Sequence, residues 1–188
     1  GSESNRKTWT WSGWVKRGNL GGSQYLFSAP MPSGGGMTVI VFNSDNTMQL
    51  YSHNNSGGRA MYLSPKMLFR DNSAWYHICC SLDTANATEG NRAAIYINGE
   101  KILDADYTTG DWGTPDYPQT QDEEFGVNST GTHYIGRKAT SAANYDDGYL
   151  AEVYFIDGQA LTSASFGETD AATGQWKPID ASGLTFGT

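Results

Sequence analysis

Hydrophobic and polar residues alternate along short stretches of this chain and do not recur every three or four positions. A period of two places successive side chains on opposite faces of a β-strand. The pattern predicts strands at residues 9–17, 24–29, 37–42, 47–51, 60–63, 75–83, 92–97, 100–103, 132–137 and 149–156. One helical turn is predicted at residues 160–166. So many short strands in one piece predict an all-β fold, a two-sheet antiparallel β-sandwich of the jelly-roll type.

Two local patterns within these strands make sharper predictions. Asn98-Gly99 separates two strands, and this pair tolerates the positive φ angles of a type I′ hairpin turn. Because both sheets of a sandwich bury alternate residues, one set of strand residues should form the core. The predicted core residues are Trp9, Trp11, Phe27, Ile40, Phe42, Trp75, Ile78, Ile95, Ile97, Ile135, Val153 and Phe155.

Cys79 and Cys80 are adjacent in a predicted strand, so their side chains should point to opposite faces. Ordinary disulfide geometry does not allow a bridge between such neighbours. We expect two free thiols, one in the core and one facing outward, where serine should be tolerated.

The amino-acid composition and net charge argue against some classes of binding partner. The chain of 188 residues has 23 Gly, 7 Phe, 6 Trp and 11 Tyr, as expected for many strands joined by glycine turns. Its net charge of −8 and scattered Lys and Arg supply no basic face, which argues against nucleic acid and anionic membrane surfaces. No apolar run approaches the roughly 20 residues of a membrane span, so we expect no membrane insertion.

Four motifs in order carry a resemblance to a known superfamily. They are Trp75-Tyr76-His77-Ile78, Ile95-Tyr96-Ile97-Asn98-Gly99, Tyr134-Ile135-Gly136-Arg137, and Gly148 to Ile156 with its Tyr-Leu-Ala-Glu-Val-Tyr-Phe core. Together they resemble the laminin-G-like, concanavalin-A-like lectin/glucanase superfamily. The resemblance covers about residues 9–166 and implies the same β-sandwich.

The C-terminal part resembles domains appended to structural proteins of tailed bacteriophages. The residues that carry this are Tyr149 to Leu161, Phe166 to Asp170 and Gly174 to Pro178. The resemblance implies a location on the virion surface, after assembly in the host cytoplasm, with other virion proteins as partners. We interpret residues 1–8 as a cloning scar and leader, and residues 9–188 as one domain excised from a longer protein.

The sequence lacks the paired carboxylates that glycoside hydrolysis requires. Retaining glucanases of the superfamily carry an E-x-D-x-x-E strand motif, whose acid and nucleophile lie about 5–5.5 Å apart. No such motif occurs here, and Asp122-Glu123-Glu124 are consecutive in a predicted loop. His53, His77 and His133 lack metal-ligand spacing. We therefore expect no enzyme activity, with a glycoside hydrolase or lyase as the remote alternative.

Residues 104–125 have no periodicity and hold the candidate carbohydrate-binding residues Tyr107, Asp111, Trp112, Asp116 and Tyr117. Long loops without secondary structure inside a compact domain are often functional. Lectins of this superfamily stack an aromatic face on a sugar and fix its hydroxyls with Asn and Asp. Trp112 is either such a platform or a lid that folds back on the sandwich.

A second loop, Asn144 to Asp147, offers alternative binding residues. Tyr145 is a further candidate for sugar binding, and Asn144, Asp146 and Asp147 are candidate calcium ligands, since calcium takes clustered oxygen donors. Asx-rich turns also occur without metal, so the fold requires no cofactor and calcium is only an option.

The favoured function is a non-catalytic module that binds cell-surface glycan from a virion. The alternative is a purely structural virion decoration or fibre segment that binds only other virion proteins.

Overall fold

The computed structural model describes residues 2–111 and 115–187. In chain order the strands are β1 (Thr8–Lys16), β2 (Gln24–Pro30), β3 (Met37–Phe42), β4 (Met48–His53), β5 (Arg59–Leu63), β6 (Tyr76–Asp83), β7 (Ala93–Ile97), β8 (Glu100–Lys101), β9 (Tyr134–Ile135), β10 (Tyr149–Asp157), β11 (Gly167–Thr169) and β12 (Trp176–Pro178). Helical structure in the described residues is limited to three short 3-10 turns, at Glu89–Asn91, Asp104–Asp106 and Ser163–Ser165.

The strands form two five-stranded antiparallel sheets. We call the sheet of order β5-β4-β3-β2-β9 sheet I and the sheet of order β10-β1-β6-β7-β8 sheet II. A two-stranded sheet of β11 and β12 completes the C-terminal segment, residues 160–187. The predicted all-β antiparallel sandwich is confirmed. No helix among the described residues is long and apolar enough to cross a membrane.

Alternate residues of both sheets fill the interior, as the period of two predicts. Trp9, Trp11, Ile40, Phe42 and most of the other predicted positions are buried in one cluster, and Val153 and Phe155 pack against it while partly exposed. Two core predictions are wrong. Trp75 is 41% exposed because, with His77, it lies on the face of the strand opposite to the core residue Ile78. Ile135 is 60% exposed because β9 is a two-residue edge strand.

The hairpin between β7 and β8 confirms the turn prediction. Asn98 has a φ of 49° and Gly99 a φ of 91°, as a type I′ turn requires. The Asn98 side-chain oxygen also accepts the His77 backbone N–H at 2.8 Å, which joins the turn to the start of β6.

The two cysteines are both buried free thiols. Cys80 lies in the main core, and Cys79 points outward from sheet II but is covered by Phe166, next to Ile156. The expected exposed thiol is therefore wrong, because the C-terminal segment packs on this half of the outer face of sheet II. Burial raises the pKa of both thiols, which makes them unreactive.

Candidate functional site

The predicted binding loop, residues 104–125, runs along the open edge of β5. Tyr62 and Asp116 exchange two backbone hydrogen bonds, of 2.9 and 3.2 Å. The Thr108 N–H donates to the Ser64 carbonyl at 2.8 Å, and the Lys66 N–H to the Asp106 carbonyl at 2.8 Å. These bonds satisfy backbone groups that an edge strand would otherwise leave unpaired. The loop lacks periodicity because it extends a sheet edge irregularly.

Two of its aromatic candidates are part of the hydrophobic core. Tyr107 is fully buried and Tyr117 is 6% exposed, and both belong to the main cluster. The Tyr117 hydroxyl donates to Asp104 Oδ1 at 2.7 Å. Burial raises the pKa of Tyr107 far above its usual value. Neither ring has a face open to a sugar in this structure.

The acidic candidates of the loop meet at one arginine. Arg59 Nη2 lies 2.6 Å from Asp116 Oδ2 and 2.6 Å from Asp111 Oδ2. The Asp116 carboxylate is buried and also accepts the Asp111 backbone N–H at 2.8 Å, whereas the Asp111 side chain is 74% exposed. Trp112 lies outside the described residues, so its two interpretations stay predictions.

The second predicted loop packs on residues 17–25. Asp147 accepts hydrogen bonds from the side chains of Asn19, at 2.6 Å, and Gln24. The Tyr25 backbone N–H donates to the Asn144 carbonyl at 3.4 Å, and Tyr145 is an exposed aromatic of the loop, at 55%. Burial raises the pKa of Asp146, which is half-buried.

Metal binding gains no support from side-chain clustering. Among residues 2–111 and 115–187, no group of three or more His, Cys, Asp or Glu side chains is placed to hold a metal ion. Calcium at Asn144, Asp146 and Asp147 stays a prediction.

A cleft lined by three tryptophans lies on the outer face of sheet II, and we call it the tryptophan cleft. Trp14 and His77 are outward neighbours on β1 and β6, Trp75 precedes β6, and Trp176 comes from β12. The remaining lining residues are Asn98, Ala151, Glu152, Gln175, Lys177 and Pro178. The two lobes of the cleft, of about 470 and 430 Å³, share all three tryptophans.

His77 holds two of the tryptophans together. Its ring centroid lies 5.3 Å from that of Trp14 and 5.9 Å from that of Trp176. Trp176 Nε1–H can only donate, so His77 Nδ1 accepts this 3.0 Å bond and Nε2–H donates to Ser12 Oγ at 2.9 Å. Burial lowers the pKa of His77 to about 4, which keeps the ring neutral and the donor pattern fixed at pH 7.

Two glycines allow the Trp176 ring to sit where it does. A Cβ on Gly99 would approach ring atom Cε3 to 2.5 Å, and a Cβ on Gly167 would approach Cε2 to 2.6 Å. Any larger side chain at either position would displace the indole. The Trp176 ring therefore packs directly on the hairpin turn at Gly99, and the β11–β12 hairpin brings the ring to this turn.

A β-bulge places the one carboxylate of the cleft. Ser12 pairs with Tyr154 and Trp14 with Ala151, so Glu152 and Val153 together oppose Gly13. Glu152 takes a φ of 48°, an uncommon value for a residue with a Cβ, and its carboxylate accepts the Tyr154 hydroxyl. Bulges and strained residues of this kind concentrate at functional sites.

The composition of the cleft suits recognition of a small polar molecule with an apolar face. Its volume lies within the range of about 300–1,000 Å³ usual for ligand pockets. A separate cavity lined by Asn54, Arg59 and Gln119, at about 150 Å³, falls below that range. Glu152 is the only carboxylate among the described lining residues, whereas glycoside hydrolysis generally uses a pair.

Sequence reasoning missed this cleft, although part of it was readable. Trp14 alternates along β1 with Thr10 and Ser12, so this aromatic lies on the face of the strand that carries polar residues. Trp75 likewise lies on the face of its predicted strand opposite to Ile78. No pattern marked Trp176, because it stands in an aperiodic C-terminal stretch whose hairpin was not predicted.

Comparison with known proteins identifies the fold family. A sequence model described as the concanavalin A-like lectin/glucanases superfamily matches residues 2–165. The chain belongs to this superfamily. A search of curated proteins finds none that matches the sequence significantly.

Solved structures that share the superfamily fold include carbohydrate-binding proteins. A Bacteroides ovatus protein, provisionally assigned to carbohydrate binding, aligns with a TM-score of 0.58 and 16% identity over 97% of this chain and 48% of its own. The CBM40 module of a Ruminococcus gnavus sialidase, solved with α2,3-sialyllactose, gives a TM-score of 0.53 and 12% identity over 85% and 80%. A Trypanosoma rangeli sialidase gives 0.51 and 14% over 85% and 22%. At these identities the likeness is one of fold.

Proposed function

We propose that this domain is a carbohydrate-binding module and that the tryptophan cleft holds the sugar. The observation that carries the proposal is the grouping of Trp14, Trp75 and Trp176 around one open cleft that polar side chains also line. Binding modules and sialidases among the solved structures of this fold are consistent with it.

The chemistry of the cleft matches that of a pyranose. A sugar ring has an apolar face of C–H groups, which gains by leaving water against a flat aromatic surface. Trp75, at 41% exposed, offers such a surface. The amides of Asn98 and Gln175 and the Glu152 carboxylate supply donors and acceptors for sugar hydroxyls.

The virion setting is a separate proposal that rests on the resemblance of residues 149–178 to phage structural proteins. We propose that the domain is displayed on a virion surface, beside other virion proteins, and engages cell-surface glycan. Many copies on one particle would turn weak single sites into useful avidity. The alternative of a purely structural decoration predicts virion contacts without glycan binding.

The test is a glycan array followed by calorimetry with the best ligand, on the wild type and on Trp75→Ala. Loss of one stacking ring should weaken binding roughly 5- to 150-fold, which corresponds to the range of 1–3 kcal/mol known for aromatic stacking on nucleobases. The matched control is Tyr145→Ala, which removes another exposed ring in the second predicted loop. Sialyllactose is one array member, and repeating the array with EDTA tests the calcium option.

Three outcomes would contradict the proposal. Binding that Trp75→Ala leaves intact and Tyr145→Ala abolishes would move the site to the second predicted loop. No binding to any glycan on the array, with the protein folded, would favour the structural alternative. Hydrolysis of a bound glycan during calorimetry would favour the enzyme alternative.

A further inference from the structure

Sheet I carries a second aromatic surface on the side opposite the core. The alternation that sends Ile40, Leu50 and Leu63 inward sends four tyrosines outward. They are Tyr25, Tyr51, Tyr62 and Tyr134, on β2, β4, β5 and β9. We call this surface the tyrosine face. Each ring is partly exposed.

Two cations lie over rings at one end of the tyrosine face. The Arg137 guanidinium carbon is 4.1 Å from the centroid of the Tyr134 ring, and Lys138 Nζ is 6.0 Å from that of Tyr25. Both distances are within the range of cation–π attraction. Neither cation lies within 4.0 Å of a carboxylate oxygen of the described residues, in a chain with 20 Asp and Glu.

Hydrogen bonds to β2 fix the backbone of the segment that carries these cations. The Ser28 hydroxyl donates to the Arg137 carbonyl at 2.6 Å, and the Gly136 N–H donates to the Leu26 carbonyl at 3.1 Å. Arg137 Nε donates to the Lys138 carbonyl at 3.4 Å, which leaves the two Nη groups free of partners among the described residues. A guanidinium in this state presents its paired N–H donors to an incoming group.

The opposite end of the tyrosine face differs in charge. Arg59 also lies over a ring, 5.1 Å from the centroid of Tyr62, but it forms ion pairs with Asp111 and Asp116. Its charge is balanced within the protein. Of the three described cations that lie over tyrosine rings, the two without a carboxylate partner are therefore both at the end with Tyr25 and Tyr134.

We propose that this end of the tyrosine face binds the carboxylate of an acidic saccharide. The carboxylate accepts paired hydrogen bonds from Arg137, Lys138 adds a second positive charge, and the sugar ring lies against an adjacent tyrosine. Two cations match one carboxylate, and they are too few to hold a nucleic acid against a net charge of −8. The site is separate from the tryptophan cleft and goes beyond the proposed function, on which it rests only for the class of ligand.

The test is calorimetric titration of the full chain with two matched pairs of sugars. One pair is trigalacturonate and its methyl ester, and the other is the methyl glycoside of N-acetylneuraminic acid and its methyl ester. In each pair the ester replaces a negatively charged carboxylate by a neutral group with one added methyl, and the pairs separate a uronate from a 2-keto sugar acid as the source of the carboxylate. At least one free acid should bind at least tenfold more tightly than its ester, and 0.5 M NaCl should reduce the preference.

Variants then locate the site. Arg137→Gln should remove the preference for the acid, Arg137→Lys should retain part of it, and Lys138→Gln should weaken it. Arg70→Gln removes the same charge from an exposed residue elsewhere and should leave binding unchanged. Trp75→Ala tests whether the carboxylate binds in the tryptophan cleft instead.

The proposal is overturned if acid and ester bind equally, if none of the four sugars binds, or if Arg70→Gln matches Arg137→Gln. Loss of acid binding in Trp75→Ala would place the carboxylate in the tryptophan cleft and would also overturn it. Thermal unfolding of each variant identifies any that fails to fold, and Lys138→Gln then decides in place of Arg137→Gln. Failure here leaves neutral sugar binding at the cleft intact, so the two proposals fail independently.

Discussion

The loop of residues 104–125 and the tryptophan cleft use aromatic and acidic residues in opposite ways. In the loop, Tyr107 and Tyr117 are buried in the core and Asp116 is buried against Arg59. In the cleft, tryptophans from positions as distant as 14 and 176 line an open volume. Three residues of the dense local cluster therefore pack inside the protein, whereas the open tryptophan cleft is assembled from residues that are distant in the sequence.

This difference explains what the sequence could and could not predict. Strands and the Asn98-Gly99 turn depend on local patterns, so the fold was predictable. The cleft depends on the β11–β12 hairpin folding over sheet II, which no local pattern encodes. The same missing information made Cys79 look exposed, because its cover, Phe166, comes from the same C-terminal segment.

The largest expected effect separates the two regions by stability. Tyr107→Ala removes a fully buried ring from the loop and should lower the free energy of unfolding by about 3–5 kcal/mol. Urea unfolding measures this loss, and Tyr145→Ala, at a 55% exposed ring, should stay within about 0.5 kcal/mol. Glycan binding by the folded fraction should be unchanged. A small stability loss together with lost binding would return the site to the loop.

Acid should lower the free energy of unfolding through His77, which lies under the tryptophan cleft. His77 has a folded pKa of about 4 and an ordinary value of 6.5, so the unfolded chain takes up the proton first as the pH falls. Its contribution to stability is complete above pH 6.5 and is lost as the pH falls towards 4. Between pH 7.5 and 4.5 this loss amounts to about 2–3 kcal/mol.

Urea unfolding of the wild type and His77→Gln at the two pH values checks this. The variant has no titrating ring, so the wild type should lose about 2–3 kcal/mol more than the variant. Equal losses in the two proteins would show that His77 is not held neutral by burial, and the stack of Trp14, His77 and Trp176 would then lose its proposed donor pattern.

Gly99→Ala should disturb the packing of the Trp176 ring on the hairpin turn. The new Cβ would lie 2.5 Å from the indole at a φ of 91°, so both steric clash and backbone strain oppose it. Gly174→Ala is the matched control, since it has a φ of 70° and no atom within 4 Å of its Cβ. Both variants should lose about 1 kcal/mol or more from strain, but only Gly99→Ala should change tryptophan fluorescence and weaken glycan binding. Identical fluorescence spectra for the two variants would argue against packing of the Trp176 ring on Gly99.

The smallest expected effect comes from Asp111, a residue that the sequence made a binding candidate. Its side chain is 74% exposed, and its partner Arg59 keeps Asp116 when Asp111 is removed. Exposed ion pairs contribute roughly 0–1 kcal/mol, so Asp111→Ala should change the free energy of unfolding by less than about 0.5 kcal/mol. Glycan affinity, measured by calorimetry, should stay within twofold of the wild type because Asp111 does not line the tryptophan cleft. A tenfold loss of affinity at unchanged stability would mean that the loop binds the sugar after all, with its buried tyrosines as support and its exposed acid as the contact.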